Sequence, residues 1–422
     1  MALTNRSISG PGNVPRGRDD AESGLGTLVV VFLRGGADGL SLVPPIADDA
    51  YHRARPTLRV RAASAIPVDD RFGLHPELRP LERHLAEGRL AIVHGAGSQD
   101  ETRSHFAAQD FMERGGEHGG GWLARYLRLR ASAGLLSPLA AVAVGDVQPE
   151  SLRGAPTAAV MRSIEDFALR DVTAEEFDSP GASARRERLS ASPSDVRSGA
   201  SIAVGAESRS FLTRLAALYG REPGALGSAG RATLAALERI DSLRSTPRST
   251  SVGYPAGGFG RGLRELATLM RAGLGVEVAT IDMVGGGLGW DTHFVQDQAF
   301  SALARELALG LDAFWSDLGE HRARTTVIVL TEFGRRLREN SSLGTDHGAG
   351  SALLVLGEGL RAGTLAPGGV RADWQDLSDE RLAGPGDVPV LVDYRKVLAE
   401  LLPRVGPPGA TVDPRGVFPG SG

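Results

Sequence analysis

Cysteine is absent from all 422 residues, which excludes disulfides, thiolate metal ligands and cysteine nucleophiles together. Any metal site must therefore use histidine, carboxylate or hydroxyl groups. Lysine is almost absent as well: Lys396 stands alone, and the remaining positive side chains are arginines. The formal net charge of −4 gives no general case for binding nucleic acid or an anionic membrane. No apolar run reaches the roughly 18 residues that a membrane-spanning helix needs. Residues 1–24 are rich in Gly, Pro and Arg and lack the apolar stretch of a signal peptide, which predicts a poorly ordered tail and a cytoplasmic location.

What the chain does have is a set of short, continuous apolar runs. They fall near residues 28–33, 90–93, 276–284, 325–330 and 352–356, with helical patterns between most of them. Runs without polar alternation read as strands buried on both faces, and this order predicts an α/β fold with a mainly parallel sheet covered by helices. Residues 25–405 then form one domain, with a mainly helical insertion at about 150–255 and a C-terminal tail at 406–422. A loop over Ser179–Ser201 follows from its Ser, Arg and Ala content.

Several acids and histidines stand beside strand ends and glycines: Asp38, Asp291, His293, Glu332, Asp346 and His347. Carboxyl ends of parallel strands share one edge, so residues distant in sequence converge there. Together they predict an oxygen- and nitrogen-rich site for one or two divalent ions, whether Zn, Mn, Fe or Mg. Ser104 opens a helical stretch with His105 beside it. It reads either as the helix N-cap or as a nucleophile at a positive helix end. Arg335 and Arg34 are candidates to hold an anion.

The segments FLRGGADGLS, TRSHFAAQDFMERG, WDTH, TEFGRR and GTDHG, in this order, resemble a large bacterial family of uncharacterised proteins that often carry twin-arginine export signals. That family in turn resembles the alkaline phosphatase and sulfatase superfamily. The resemblance covers roughly residues 25–405 and implies an alkaline phosphatase-like fold. It also implies Asp38 as first-strand metal ligand, Ser104 as nucleophile (Thr102 and Ser41 competing), and Asp291, His293, Glu332, Asp346 and His347 as further ligands. His105 and Arg34 would stand behind them. Three departures accompany it: the Asp-Thr-His spacing is short, Glu332 replaces the more usual Asp, and Ser104 lacks the common flanking sequence. With no Cys and no Ser-x-Pro-x-Arg, a formylglycine nucleophile is excluded.

The implied activity is metal-dependent hydrolysis of a phosphate or sulfate ester, on a small-molecule or glycan substrate. A phosphotransferase or mutase, and a non-catalytic envelope protein with a stabilising metal, are the competing expectations.

Overall fold

Side chains of a strand alternate between its two faces, and β1 (Thr27–Leu33) shows what that means when neither face meets water. Val29, Val31 and Leu33 enter one core, while Leu28, Val30 and Phe32 enter another on the opposite face. The first core is closed by the helices Gly258–Arg271 and Gln296–Asp317, and the second by Trp122–Ala133 and Tyr394–Leu401. Helices therefore cover both faces of the sheet. The computed structural model describes residues 24–134, 136–167, 206–244, 252–284, 289–360 and 368–420.

The other strands are β2 (Ile66–Pro67), β3 (Gly73–Leu74), β4 (Leu90–Gly97), β5 (Ala141–Val144), β6 (Ala159–Met161), β7 (Val278–Met283) and β8 (Thr325–Leu330). After them come β9 (Arg335–Glu339), β10 (Thr345–His347), β11 (Ser351–Gly357), β12 (Val370–Arg371) and β13 (Val392–Asp393). The central sheet runs β12-β4-β11-β8-β1-β7-β5-β6, with β13 also on β4. All of its pairings are parallel except those of β11, which is antiparallel to both β4 and β8.

The reversal of β11 matters to the site. Parallel β1, β7 and β8 end at one edge, and a reversed β11 starts at that same edge. Asp346 and His347, which precede β11, are thereby brought to the residues that follow the other three strands. They lie on β10, which pairs with β9 so that His347 is opposite Arg335.

Two expected boundaries change. The stretch expected to be a helical insertion from residue 150 contains β6, the sheet's edge strand, parallel to β5. Its described α-helical part is the pair Ala206–Arg221 and Gly224–Arg244. The expected C-terminal tail is anchored, because Val417 and Phe418 are buried and the Phe418 ring packs on Trp122 at 5.4 Å. Residues 1–23, and the loop expected over Ser179–Ser201, lie outside the described residues. Among the described residues, no helix is long and apolar enough to cross a membrane.

Candidate metal centre

Four side chains meet at the sheet's carboxyl edge. Asp291 lies beyond β7, His293 two residues later, His347 at the end of β10, and His105 at the first position of the helix His105–Arg114. Asp291 Oδ1 is 3.1 Å from both His293 Nε2 and His347 Nε2, and Asp291 Oδ2 is 3.3 Å from His105 Nε2. The His293 and His347 Nε2 atoms are 2.9 Å apart. A tetrahedral zinc ion with bonds of about 2.0–2.1 Å holds its ligand atoms about 3.3 Å from one another, a spacing close to those of the Asp291 oxygens from the three Nε2 atoms. One ligand atom each from His105, Asp291 and His347 falls within 4.8 Å of the others, a group that could hold a metal ion.

The far sides of the rings point to the same conclusion. His105 Nδ1 donates to Glu332 Oε1 at 2.8 Å, since a buried ionised carboxylate only accepts. His347 Nδ1 donates to the Arg103 carbonyl at 2.9 Å. In the neutral rings both bonds fix the tautomer that leaves Nε2 as a lone-pair donor, as for metal-bound histidines held by carboxylate or carbonyl. Asp346 stands behind His293, 3.5 Å from its Nδ1. His105 Nε2 is buried and faces Asp291 Oδ2 at 3.3 Å. Phe333 packs against His105 and His347, with ring centroids 4.9 and 4.7 Å away. Space for that ring comes from Gly36, at φ 63°, where a Cβ would lie 2.4 Å from the Phe333 ring.

Charge is concentrated here. Burial would raise the Asp291 carboxyl, but bonds from His105, His347 and Arg335, with the Arg335 charge, hold it far below the usual range. Glu332 is also held low against burial, by His105 and Gln109. His105 is pushed up to about 9, by Asp291 first and Glu332 second. His293 is lowered by burial and then by the Arg335 charge.

The roles of His105 and Glu332 are thus reversed relative to the sequence expectation: His105 faces the centre and Glu332 stands behind it. Glu332 Oε1 already receives Gly35 N at 2.9 Å, His105 Nδ1 at 2.8 Å and Gln109 Nε2 at 2.8 Å. Asp346 likewise backs a histidine. Asp38 is not brought into the group: it is wholly buried and ion-paired with Arg55 at 2.5 Å. Ser41, a competing nucleophile, donates to Asp38 at 2.7 Å.

Arg335 is also placed differently from expectation. Its guanidinium donates to the carbonyls of Gly36, Gly35, Trp290 and Thr345 and to Asp291 Oδ1, so it braces the site from beneath and has little left for an anion. Arg34 is engaged by Glu113, Asp282 and Gln109. Ser104 is exposed at the N-cap, and its side chain makes no capping bond; Thr102 donates to Asp100. Sequence reading missed Gln109 and the Arg103 carbonyl, because neither carries a local signal.

No curated protein matches the chain. A family model described as a protein of unknown function, DUF1501, matches residues 26–370. With most of its length matched, the chain belongs to the DUF1501 family.

Proposed function

We propose that this protein is a metal-dependent hydrolase of phosphate or sulfate esters. The observation that carries the reading is the convergence of the His105, His293 and His347 Nε2 atoms on Asp291, with the first and third fixed by acceptors behind them. Three imidazoles and one carboxylate suit zinc, manganese or iron better than magnesium, which prefers oxygen. His105, Asp291 and His347 would hold the ion, and His293 would complete the set. Bound there, a divalent cation would supply Lewis acidity toward an ester oxygen and toward water.

The chain's own groups suit an anionic substrate. Ser104 presents an uncapped, exposed hydroxyl at the positive end of a ten-residue helix, next to His105. Two apolar side chains next to ligand candidates in the chain are open to solvent: Phe106, directly after His105, is 86% exposed, and Phe294, directly after His293, is 57% exposed. They favour an ester whose non-ionic part is aromatic or aliphatic. The resemblance to the alkaline phosphatase and sulfatase superfamily supports the same reaction class.

A turnover screen of metal-loaded protein tests this. Aryl phosphates and sulfates are expected to be cleaved, with activity lost in Asp291→Ala; no cleavage of any ester by fully loaded protein would refute it. A metal-stabilised, non-catalytic protein is the second reading, favoured by the engagement of both Arg335 and Arg34 within the fold.

A further inference from the structure

Asp38, from the glycine-rich segment after β1, is left without a role by the site above, yet its surroundings are built with care. It is wholly buried, as is Arg55, and the two form a bidentate pair: Arg55 NH1 to Asp38 Oδ2 at 2.5 Å and NH2 to Oδ1 at 3.1 Å. Arg55 also donates to the carbonyls of Leu337 at 2.8 Å and Arg336 at 2.9 Å, both on β9, the strand that pairs with the His347 strand.

Gln296 joins this pair to the ligand segments. Its side chain is buried, and Nε2 donates to Asp38 Oδ2 at 2.6 Å and to Ser41 Oγ at 3.2 Å. On its other side, Oε1 accepts from Thr292 Oγ1 at 3.0 Å and Thr345 Oγ1 at 2.6 Å. Thr292 lies between Asp291 and His293, and Thr345 lies two residues before His347. The direction of every bond is forced. An ionised Asp38 only accepts, so the amide nitrogen must face it, the amide oxygen must face the threonines, and both hydroxyls must donate. The two threonine segments also touch directly, through Thr345 N to the Thr292 carbonyl at 3.1 Å.

A buried ion pair is a weak source of stability, since apolar residues of similar volume hold a core as well. A fully satisfied buried network does something apolar packing does poorly, which is to fix groups at one position. We infer that Asp38, Arg55 and Gln296 are positioning residues that set the spacing of Asp291, His293 and His347, so that ion affinity depends on the Gln296–Thr292–Thr345 bonds. The inference rests on the metal reading above.

Thr345→Val removes one hydroxyl and keeps the shape, whereas Thr345→Ser keeps the hydroxyl. Zinc affinity, measured by competition with a chelator, is expected to fall about tenfold in Thr345→Val, the order seen when partners behind metal ligands are removed, and to stay near wild type in Thr345→Ser. Should Thr345→Val fail to fold, Thr292→Val takes its place with the same expectation. Equal affinity in wild type and the valine variant overturns the inference, even if the metal-free variant melts earlier, because the network would then serve folding alone. Wild-type protein that binds none of zinc, manganese and iron would instead overturn the metal reading on which it depends.

Discussion

Glu332→Gln tests whether Glu332 would stand behind a bound metal ion or ligate it. Glutamine has the same shape, and its Oε1 can still accept from Gly35 N, His105 Nδ1 and Gln109 Nε2, while its amide can donate to Thr331 Oγ1, which the native Oε2 approaches at 3.1 Å. Only the charge is lost. A hydrogen bond to a charged acceptor contributes about 1.5–3 kcal/mol against about 0.5–1.5 kcal/mol for a neutral one, so the His105 bond weakens by about 1 kcal/mol. The expected result is roughly a tenfold loss of zinc affinity with metal stoichiometry kept at saturation. Chelator competition gives the affinity, and elemental mass spectrometry gives the stoichiometry. Complete loss of the ion would show Glu332 to be a ligand, and unchanged affinity would show that it does not support His105; either refutes the assignment.

Two further outcomes follow from buried charge. His105 in the metal-free protein is raised from 6.5 to about 9, so its contribution is fully present below pH 6.5 and is lost as pH rises through about 9. That amounts to at most about 3 kcal/mol, read by urea denaturation at several pH values, and a flat profile over this window would contradict the geometry. Arg55→Leu leaves the Asp38 carboxylate buried without its cation and should cost about 3–5 kcal/mol in the same assay; a loss under about 1 kcal/mol would mean that water reaches Asp38.

Much of the fold was legible because β1, β4, β8 and β11 each contain a continuous apolar run of four residues or more, and strands covered on both faces read that way. The direction of β11 was not legible, since an apolar run is the same in either sense. The edge strand β6 was missed because three residues of middling burial leave no pattern. Phe418 looked like part of a Gly/Pro tail, and only the Trp122 surface it covers gives it a place.

Within the candidate site, the residue types at the strand ends were readable, and their roles were not. Whether a carboxylate meets an ion or the back of a histidine is decided by which imidazole nitrogen points inward, which depends on the placement of a helix such as His105–Arg114. Asp38 has the sequence setting of a ligand, but its partner Arg55 arrives from a helix end 17 residues on, and nothing local announces that pairing. Arg335 is consumed by carbonyls of Gly35 and Gly36, about 300 residues away in sequence.

The most direct test of the central claim is the metal content of the purified protein and of His347→Ala, measured side by side by elemental mass spectrometry after reconstitution with zinc, manganese or iron. The structure predicts about one equivalent per chain in the wild type, from one His/Asp group, and its loss in the variant. No bound metal in the wild type, or equal occupancy in both proteins, would contradict the assignment of His105, Asp291 and His347 as a metal centre.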